Sequence, residues 1–470
     1  MDFPYMAFVR TIDPEGVIAV VVRELIDRSP MSRFQVAVVL LCTALCVVEG
    51  FDILMMSFAA PGVARDWGLN NASVGMLLSA CPFGMAAGSA VIAPLADRIG
   101  RRPLILACLA ATTVAMALSA ATRNAGELAF CRGLAGLAIG GLVASLPVLV
   151  SEFVPARRRG SAVALYTAGL PLGGVVGGFV ATLIGSHYGW RGIFVAGALL
   201  TVALQAVSFA LLPESLEHLE IRRPRGALQR INRTLARMGR DPVTHLAQRG
   251  DGSAGVAGGV LRGRAGARSL LLWVAFFISV ACFYFASSWT PTLLQRSGFS
   301  AQQGISGGML LNVGGIAATL LFSVLALRVG PRPLTVLSFV AAAASFVVMG
   351  LSLGSAGGAF VAAAAVGVTI NAAVAGLYTI APELYAPSVR TTAVGWAATM
   401  GRLGAIVAPL FAGSLLDEGW SPQTLMVVFA GPLVVGGLCV LAIGRLGREQ
   451  RRGLSAPAAD GPSTPVQGAL

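Results

Sequence analysis

The sequence predicts an all-α polytopic membrane protein of about twelve transmembrane helices, arranged as two pseudo-repeated halves of six. Three observations support this. Of the 470 residues, 56% are hydrophobic and only 12% are charged, with a mean hydropathy of +0.78, more apolar surface than a soluble core can bury. Apolar runs long enough to cross a bilayer, about 20 residues each, recur along the chain in two sets. Finally, short markers repeat at one offset: Gly100 in Asp97-Arg98-Ile99-Gly100-Arg101-Arg102 stands 230 residues before Gly330 in Leu327-Arg328-Val329-Gly330-Pro331-Arg332.

Taken in order, residues 1–33 are charged throughout and lack the apolar core and small-residue cleavage site of a signal peptide, so they are expected to remain cytoplasmic. A short amphipathic helix is expected over 17–26, and Met6 or Met31 are alternative starts. The first six-helix bundle is expected over 34–212, with spans at 34–60, 72–96, 103–121, 126–150, 160–184 and 191–212. A cytoplasmic linker over 213–268 opens on Pro213-Glu214-Ser215 and includes a Gly-rich stretch over 250–259, so it reads as part helix and part flexible chain. The second bundle is expected over 269–444, with spans at 269–291, 304–327, 333–353, 357–380, 389–415 and 423–444. A cytoplasmic tail, 445–470, becomes rich in Pro, Ala, Gly and Ser and is expected to be disordered beyond Arg452.

The charge pattern orients these spans. A net charge of +13 and a pI of about 10.4 would suit nucleic acid only if the charge formed a patch on a soluble face. The chain has no lysine; all 34 basic residues are arginines, and most lie between apolar runs. Arg98, Arg101, Arg102, Arg157 to Arg159, Arg328, Arg332 and Arg390 fall in alternate loops, whereas the opposite loops carry Arg65, Arg123, Arg191 and Arg296 singly. By the positive-inside rule both termini belong in the cytoplasm.

The first span holds two carboxylates, Glu49 and Asp52. An acid at the centre of a membrane helix costs roughly 2.5–3.5 kcal/mol, so two demand a function. At spacing i, i+3 they share one helix face and can point into the bundle or a water-filled cavity. Two arginines also lie within spans, Arg132 and Arg402. Counted at about 1.5 Å per residue, all four groups fall in one slab at or outside the midplane. Arginine suits the binding of a carboxylate because its fork matches the anion bidentately and it stays charged when desolvated. Arg402 is the first candidate for this role, with a structural pair to an acid of the other half as the alternative. Arg132 could bind substrate, couple to the first-span acids, or stabilise its own bundle. A slot for an aromatic ring could be drawn from Phe51, Phe58, Tyr166, Tyr284, Trp289 and Trp396, each of which could equally be packing.

Other chemistry is excluded. The seven cysteines all lie in apolar runs without metal-ligand spacing. The three histidines, His187, His218 and His245, lie in loops or at span edges. No nucleophile, metal or cofactor constellation is present, so the chain does not read as an enzyme.

More of the repeat emerges at nearly the same offset: Glu152, Pro155 and Arg158 match Glu383, Pro387 and Arg390, and Gly189-Trp190 matches Gly419-Trp420. Parallel six-span repeats with a site near the midplane are an architecture of secondary transporters. The loop at Asp97, with Arg98 and Arg101, reads as a conformational latch, and Arg390 as its equivalent in the second half.

These motifs resemble the major facilitator superfamily. The loop after the second span is similar to its signature Gly-x-Leu-Ala-Asp-Arg-x-Gly-Arg-Arg, with Ala93 in place of the first glycine. Arg132-Gly-Leu-Ala-Gly136-Leu-Ala-Ile-Gly140 and Gly169-Leu-Pro171-Leu-Gly173-Gly174 are also similar to elements of that superfamily. A narrower resemblance is to its aromatic acid:proton symporters, whose first span has Asp-Gly-Phe/Tyr-Asp where this chain has Glu49-Gly50-Phe51-Asp52. Ser288-Trp289-Thr290-Pro291, Pro382-Glu383-Leu384-Tyr385 and Gly401-Arg402-Leu403-Gly404 extend the likeness. The resemblance implies roles for Asp52, Arg132, Arg390 and Arg402. It further implies proton-coupled import of a benzoate- or hydroxybenzoate-type acid by alternating access across the cytoplasmic membrane, by a chain working as a monomer without cofactor or nucleic acid. Asp52 is expected to carry the coupled proton, with Glu49 as its neighbour. A proton-driven exporter of drugs or metabolites and a membrane sensor of aromatic acids are the competing readings.

Overall fold

The computed structural model describes residues 11–12, 18–19, 22–245, 263–385 and 387–455; of these, the side chains of 11–12, 18–19, 263–265, 387–392 and 446–455 lie outside the described part. Helices form wherever the apolar runs lie, and the polar residues between them act as caps. After a short helix α1 (Val22–Asp27), α2 (Arg33–Trp67) starts at a capping box. Ser32 Oγ accepts from Gln35 N at 3.3 Å while Ser32 N donates to Gln35 Oε1 at 2.7 Å, which satisfies two backbone and side-chain groups reciprocally. The first half continues with α3 (Asn71–Val91), α4 (Ala93–Ile99), α5 (Arg101–Ala121), α6 (Ala125–Phe153), α7 (Ala156–Thr167) and α8 (Gly169–Leu211). Two connecting helices follow, α9 (Leu216–Arg222) and α10 (Ala227–Arg237). The second half comprises α11 (Gly263–Arg296), α12 (Ala301–Val329), α13 (Pro331–Ser352), α14 (Ala356–Ile380), α15 (Pro387–Asp417) and α16 (Pro422–Ser455).

Among the described residues, eleven stretches are long and apolar enough to cross a membrane, one of them the 56-residue stretch Ala156–Leu211. A straight helix of that length would run about 84 Å, nearly three times a hydrocarbon core of about 30 Å. Gly189 divides it, with φ 65° and ψ −169° where an L-residue would be strained, so the described residues hold twelve membrane helices. The repeat is visible in the backbone too. Gly100 and Gly330 share one conformation (φ 100°, ψ 155° and φ 87°, ψ 151°), and Gly68, Gly189, Gly298 and Gly419 turn the chain at positive φ in matching places.

Lipid offers no hydrophobic drive for helices to associate, so close contact through small residues takes its place. Within the first half α2 packs on α8, α3 on α6, and α5 on both α6 and α8. In the second, α11 packs on α15, α12 on α14, and α13 on α14 and α16. Between the halves α3 meets α15, α8 meets α12, and α2 meets α11. All seven cysteines are free and buried in this packing.

Three local expectations change. The helix expected over 17–26 begins only at Val22, because Ile18–Ala19 pairs antiparallel with Thr11–Ile12. The linker is helical at α9 and α10, while its Gly-rich part lies outside the described residues. The last helix continues through Arg452 to Ser455.

Candidate functional site

Asp52 and Arg132 come together. The Arg132 guanidinium is fully buried and pairs through Nη1 with Asp52 Oδ1, while Nη2 donates to the Asp52 backbone carbonyl at 2.7 Å. The Phe194 ring lies 5.8 Å below the same cation. Glu49, one turn away on α2, is 2% exposed, and neither of its carboxylate oxygens has a hydrogen-bond partner. Its electrostatic neighbours are Cys42, Cys46, Cys108 and Tyr166, all within the first half. The i, i+3 spacing therefore puts both acids in the bundle interior, one matched by a cation and one unmatched.

Arg402 stands apart from this cluster. It is partly exposed and, among the described residues, makes neither a hydrogen bond nor an ion pair. The expected alternative, a structural pair with an acid of the other half, is therefore not formed here. Gly401 and Gly404 let α15 lie directly against Phe276–Ala281 of α11, which leaves the guanidinium within electrostatic range of Tyr284 and Tyr378. Tyr284 is also within range of Cys81, the neighbour of Asp52 and Arg132. One phenol thus lies between the charged interior of the first half and the free cation of the second. Tyr378, on the last turns of α14, is 48% exposed and meets Phe276 edge to face at 5.0 Å. Tyrosine and arginine together present an aromatic wall and a cation, which a flat aromatic anion can use at once.

The other ring candidates lie elsewhere. Phe51 is fully buried, its ring close to Gly177 and Gly197 inside the first half. Tyr166 is buried near Cys46, and Phe58 fills the seam against Gly308. Trp289 is fully buried and donates Nε1 to the Pro409 carbonyl at 3.2 Å, so its ring serves the packing of α11 on α15. Trp396 stacks on Trp273 at 6.0 Å and is 50% exposed. It shares its stripe of α15 with exposed Leu403, Val407 and Leu410, about 120° round the helix from Arg402, and that stripe faces outward.

At the arginine-rich end of the bundle the gate residues separate. Asp97 and Arg98 are exposed; the Asp97 backbone carbonyl accepts from Arg222 Nε of α9 at 3.1 Å, and its carboxylate lies within electrostatic range of Arg101. Arg101 pairs with Glu152 and donates to Ser215 Oγ at 3.3 Å. The side chain of Arg390 lies outside the described residues. Sequence reasoning missed Glu214, whose Oε1 accepts from the backbone of Arg101 at 2.9 Å and Arg102 at 3.1 Å and so caps α5. The signal was present, an acid at the head of the linker facing a helix start. Tyr378 was missed as well, although it is the bulkiest side chain on an Ala- and Gly-rich span.

The two halves touch unevenly. Among the described residues, the hydrogen bonds that cross between them gather at the arginine-poor end: Asn71 and Ala72 with Asp417, Arg296 with Asn71, and Ser79 with Ile406. At the arginine-rich end, two ion pairs among the described residues each lie within one half, Arg101 with Glu152 and Arg332 with Glu383 at 3.7 Å.

Comparison with known proteins agrees with this architecture. The profile of the Major Facilitator Superfamily matches residues 40–359 and 308–468. The chain is 30% identical to a gallate transporter of Pseudomonas putida, over 93% of this chain and 98% of that one. It is also 30% identical to a 4-hydroxybenzoate transporter of Pseudomonas aeruginosa, over 90% and 95% of the two chains. Among solved structures, a bacterial homologue of the human lysosomal transporter Spinster superposes with a TM-score of 0.71 at 18% identity, covering 91% of this chain and all of the other. The chain is a multi-pass transporter and not an enzyme, and it belongs to the Major Facilitator Superfamily, among its aromatic acid transporters.

Proposed function

We propose that this transporter imports an aromatic carboxylic acid together with protons by alternating access. The observation behind it is the unpaired Arg402 guanidinium facing Tyr284 and Tyr378 inside a membrane protein. An unmatched cation at membrane depth is costly, and an anionic substrate that supplies the missing charge offsets that cost. The relatives named for gallate and 4-hydroxybenzoate transport support an aromatic acid. On this reading the substrate carboxylate takes the fork of Arg402, and its ring lies against the two tyrosines.

A second set of groups handles the proton. Glu49 and Asp52 are the acids within the first span, and Asp52 is the one near Tyr284 and so near Arg402, through the neighbourhood of Cys81 and Arg132. A monoanion entering against an inside-negative potential needs at least one proton to be moved without electrical cost, so an acid near the anion site is required. The arginine-rich end is cytoplasmic by the positive-inside rule, which puts both termini and the 213–268 linker inside. The halves, joined at the other end, are then in an inward-facing state. The membrane is the cytoplasmic one, the single chain is the transporting unit, and the domain limits are those read from the sequence.

The test is binding by Arg402 variants, using the purified protein and 4-hydroxybenzoate or gallate as probe. Arg402→Ala loses charge-assisted bonds worth about 1.5–3 kcal/mol, more than tenfold in affinity. Arg402→Lys should fail nearly as badly because lysine keeps the charge but not the fork. A lysine variant within about threefold of the parent would remove Arg402 from the substrate site. For coupling, accumulation in cells should collapse with an uncoupler, and accumulation that rises instead would reverse the direction to export.

A further inference from the structure

The N-terminus of α3 is completed by a residue of the other half. A helix start leaves its first amide groups without intrahelical partners. Asn70 serves one of them here, its side-chain Oδ1 accepting from Ser73 N at 3.0 Å. Two more, those of Asn71 and Ala72, point across the seam. Asp417, the last residue of α15, accepts from Asn71 N through Oδ1 at 2.8 Å and from Ala72 N through Oδ2 at 2.8 Å. Its Oδ1 also accepts from Asn71 Nδ2 at 2.6 Å, and Arg296, at the end of α11, donates to the Asn71 side-chain oxygen.

Below this cap the two helices touch backbone to backbone. A Cβ at Gly75 would stand 2.6 Å from the Pro409 carbonyl oxygen, and one at Gly413 would collide with the Asn71 carbonyl. One turn further in, Ser79 Oγ donates to the Ile406 carbonyl at 2.8 Å. A carboxylate at a helix N-terminus is doubly favoured, by charge-assisted bonds and by the helix dipole. This one reaches across the only side of the seam at which hydrogen bonds between the halves are seen among the described residues.

We propose that Asp417 is the latch that shuts the arginine-poor end, and that it must let go of Asn71 and Ala72 in every transport cycle. Release is feasible because Asp417 and Arg296 are exposed, and Asn71 and Ala72 partly so, at the end of the bundle, where water can replace each bond. The inference rests on alternating access but on neither the identity of the substrate nor the direction of transport.

The experiment is side-specific labelling. Ser79→Cys, placed in a Cys81→Ala background, is buried under the latch in this state and becomes reachable when the end opens. With Asp417 intact, a membrane-impermeant maleimide applied from the arginine-poor side should react slowly. With Asp417→Ala the reaction should speed up by about tenfold, the loss of a charge-assisted bond, and Arg296→Ala should give a smaller change of the same sign. Unchanged labelling in Asp417→Ala would overturn the latch. Acceleration from the opposite face would overturn the assigned orientation instead and leave the latch standing. Because a substitution can also loosen the fold, Asn71→Cys with Asp417→Cys gives a second reading: oxidation to a disulfide should stop transport, and reduction should restore it. Full transport by the cross-linked protein would show that this end need not open there.

Discussion

Gly136 of α6 lies on the carbonyl of Cys81, and at the matching place in the second half Gly367 of α14 lies on the carbonyl of Leu311. Gly84 on Gly133 has its counterpart in Gly314 on Ala364, and Gly173 on Val47 in Gly404 on Phe277. The correspondence extends to charge at the arginine-rich end, where Arg101 with Glu152 is matched by Arg332 with Glu383. In the interior it stops. Glu49 and Asp52 align with Ser279 and Cys282, and Arg132 with Ala363; Arg402 aligns with Pro171. Small residues at helix crossings are dictated by backbone approach and have to be kept in both copies. Interior charges are dictated by what each half has to hold, so they are free to diverge. The first half has sealed in an acid and arginine cluster, and the second presents one open cation.

The sharpest break of this comparison is to unbalance the sealed cluster. Arg132→Ala leaves Asp52 buried without a counter-charge, so it should cost about 3–5 kcal/mol, read as a large fall in thermal stability in detergent. Arg132→Ala with Asp52→Ala should recover part of that loss. Arg402→Ala, by contrast, should leave the melting temperature close to that of the parent, because no buried partner is stranded. Equal falls for Arg132→Ala and Arg402→Ala would erase the difference between the halves.

Next in size is the division of labour between the acids. Asp52→Asn keeps the shape of the protonated acid and can release no proton, so the variant should bind and exchange labelled substrate without accumulating it. Glu49→Gln should be milder and the double variant should resemble Asp52→Asn, since two acids one turn apart titrate as a coupled pair. Yet Glu49 is the acid without a partner and Asp52 is held by Arg132. If Glu49→Gln proves the more severe variant for accumulation, the coupling site moves one turn along α2. Wild-type accumulation in the double variant would remove it from the first span.

Periodicity and composition told the fold well. Glycines at matched offsets, apolar runs and the arginine pattern are local signals, and each has a direct backbone consequence at positions such as Gly100 and Gly330. The contact of Asp52 with Arg132 was approachable because depth along a membrane helix can be counted at a fixed rise. Azimuth was counted for the two acids but not for the rings. Phe51 is adjacent to Asp52 in the chain but about 100° round the helix, so its ring faces Gly177 and Gly197. Trp396 missed for the same reason, falling on the outward stripe with Leu403. Asp417 gave no signal at all, because an acid at a loop edge is ordinary until the other half is laid beside it.

The shared scaffold can be tested on its own terms. Gly136→Ala and Gly367→Ala each push a methyl group into a backbone carbonyl of the neighbouring helix, Cys81 in one half and Leu311 in the other. Each should cost about 1–3 kcal/mol, and the two values should agree more closely with each other than with alanine at an exposed glycine such as Gly395. A large loss in one half alone would mean that the match of the backbones is superficial.

The smallest expected effect separates the two copies of the ion pair. Glu152 is nearly covered, with its side chain 7% exposed, and besides Arg101 it accepts from Ser215 Oγ at 2.6 Å, which ties the head of the linker to α6. Glu383 is 48% exposed and reaches Arg332 only at 3.7 Å, through water-accessible space. A pair of the second kind is screened by solvent and worth at most about 1 kcal/mol. Glu383→Gln should therefore shift the melting temperature barely beyond error, and added salt should abolish even that. Glu152→Gln removes the covered carboxylate that pairs with Arg101 and accepts from Ser215, and should show a clear drop that salt does not remove. If the two substitutions respond alike to salt, the pairs are equivalent in solution, and the linker contact of Ser215 adds nothing that the second half lacks.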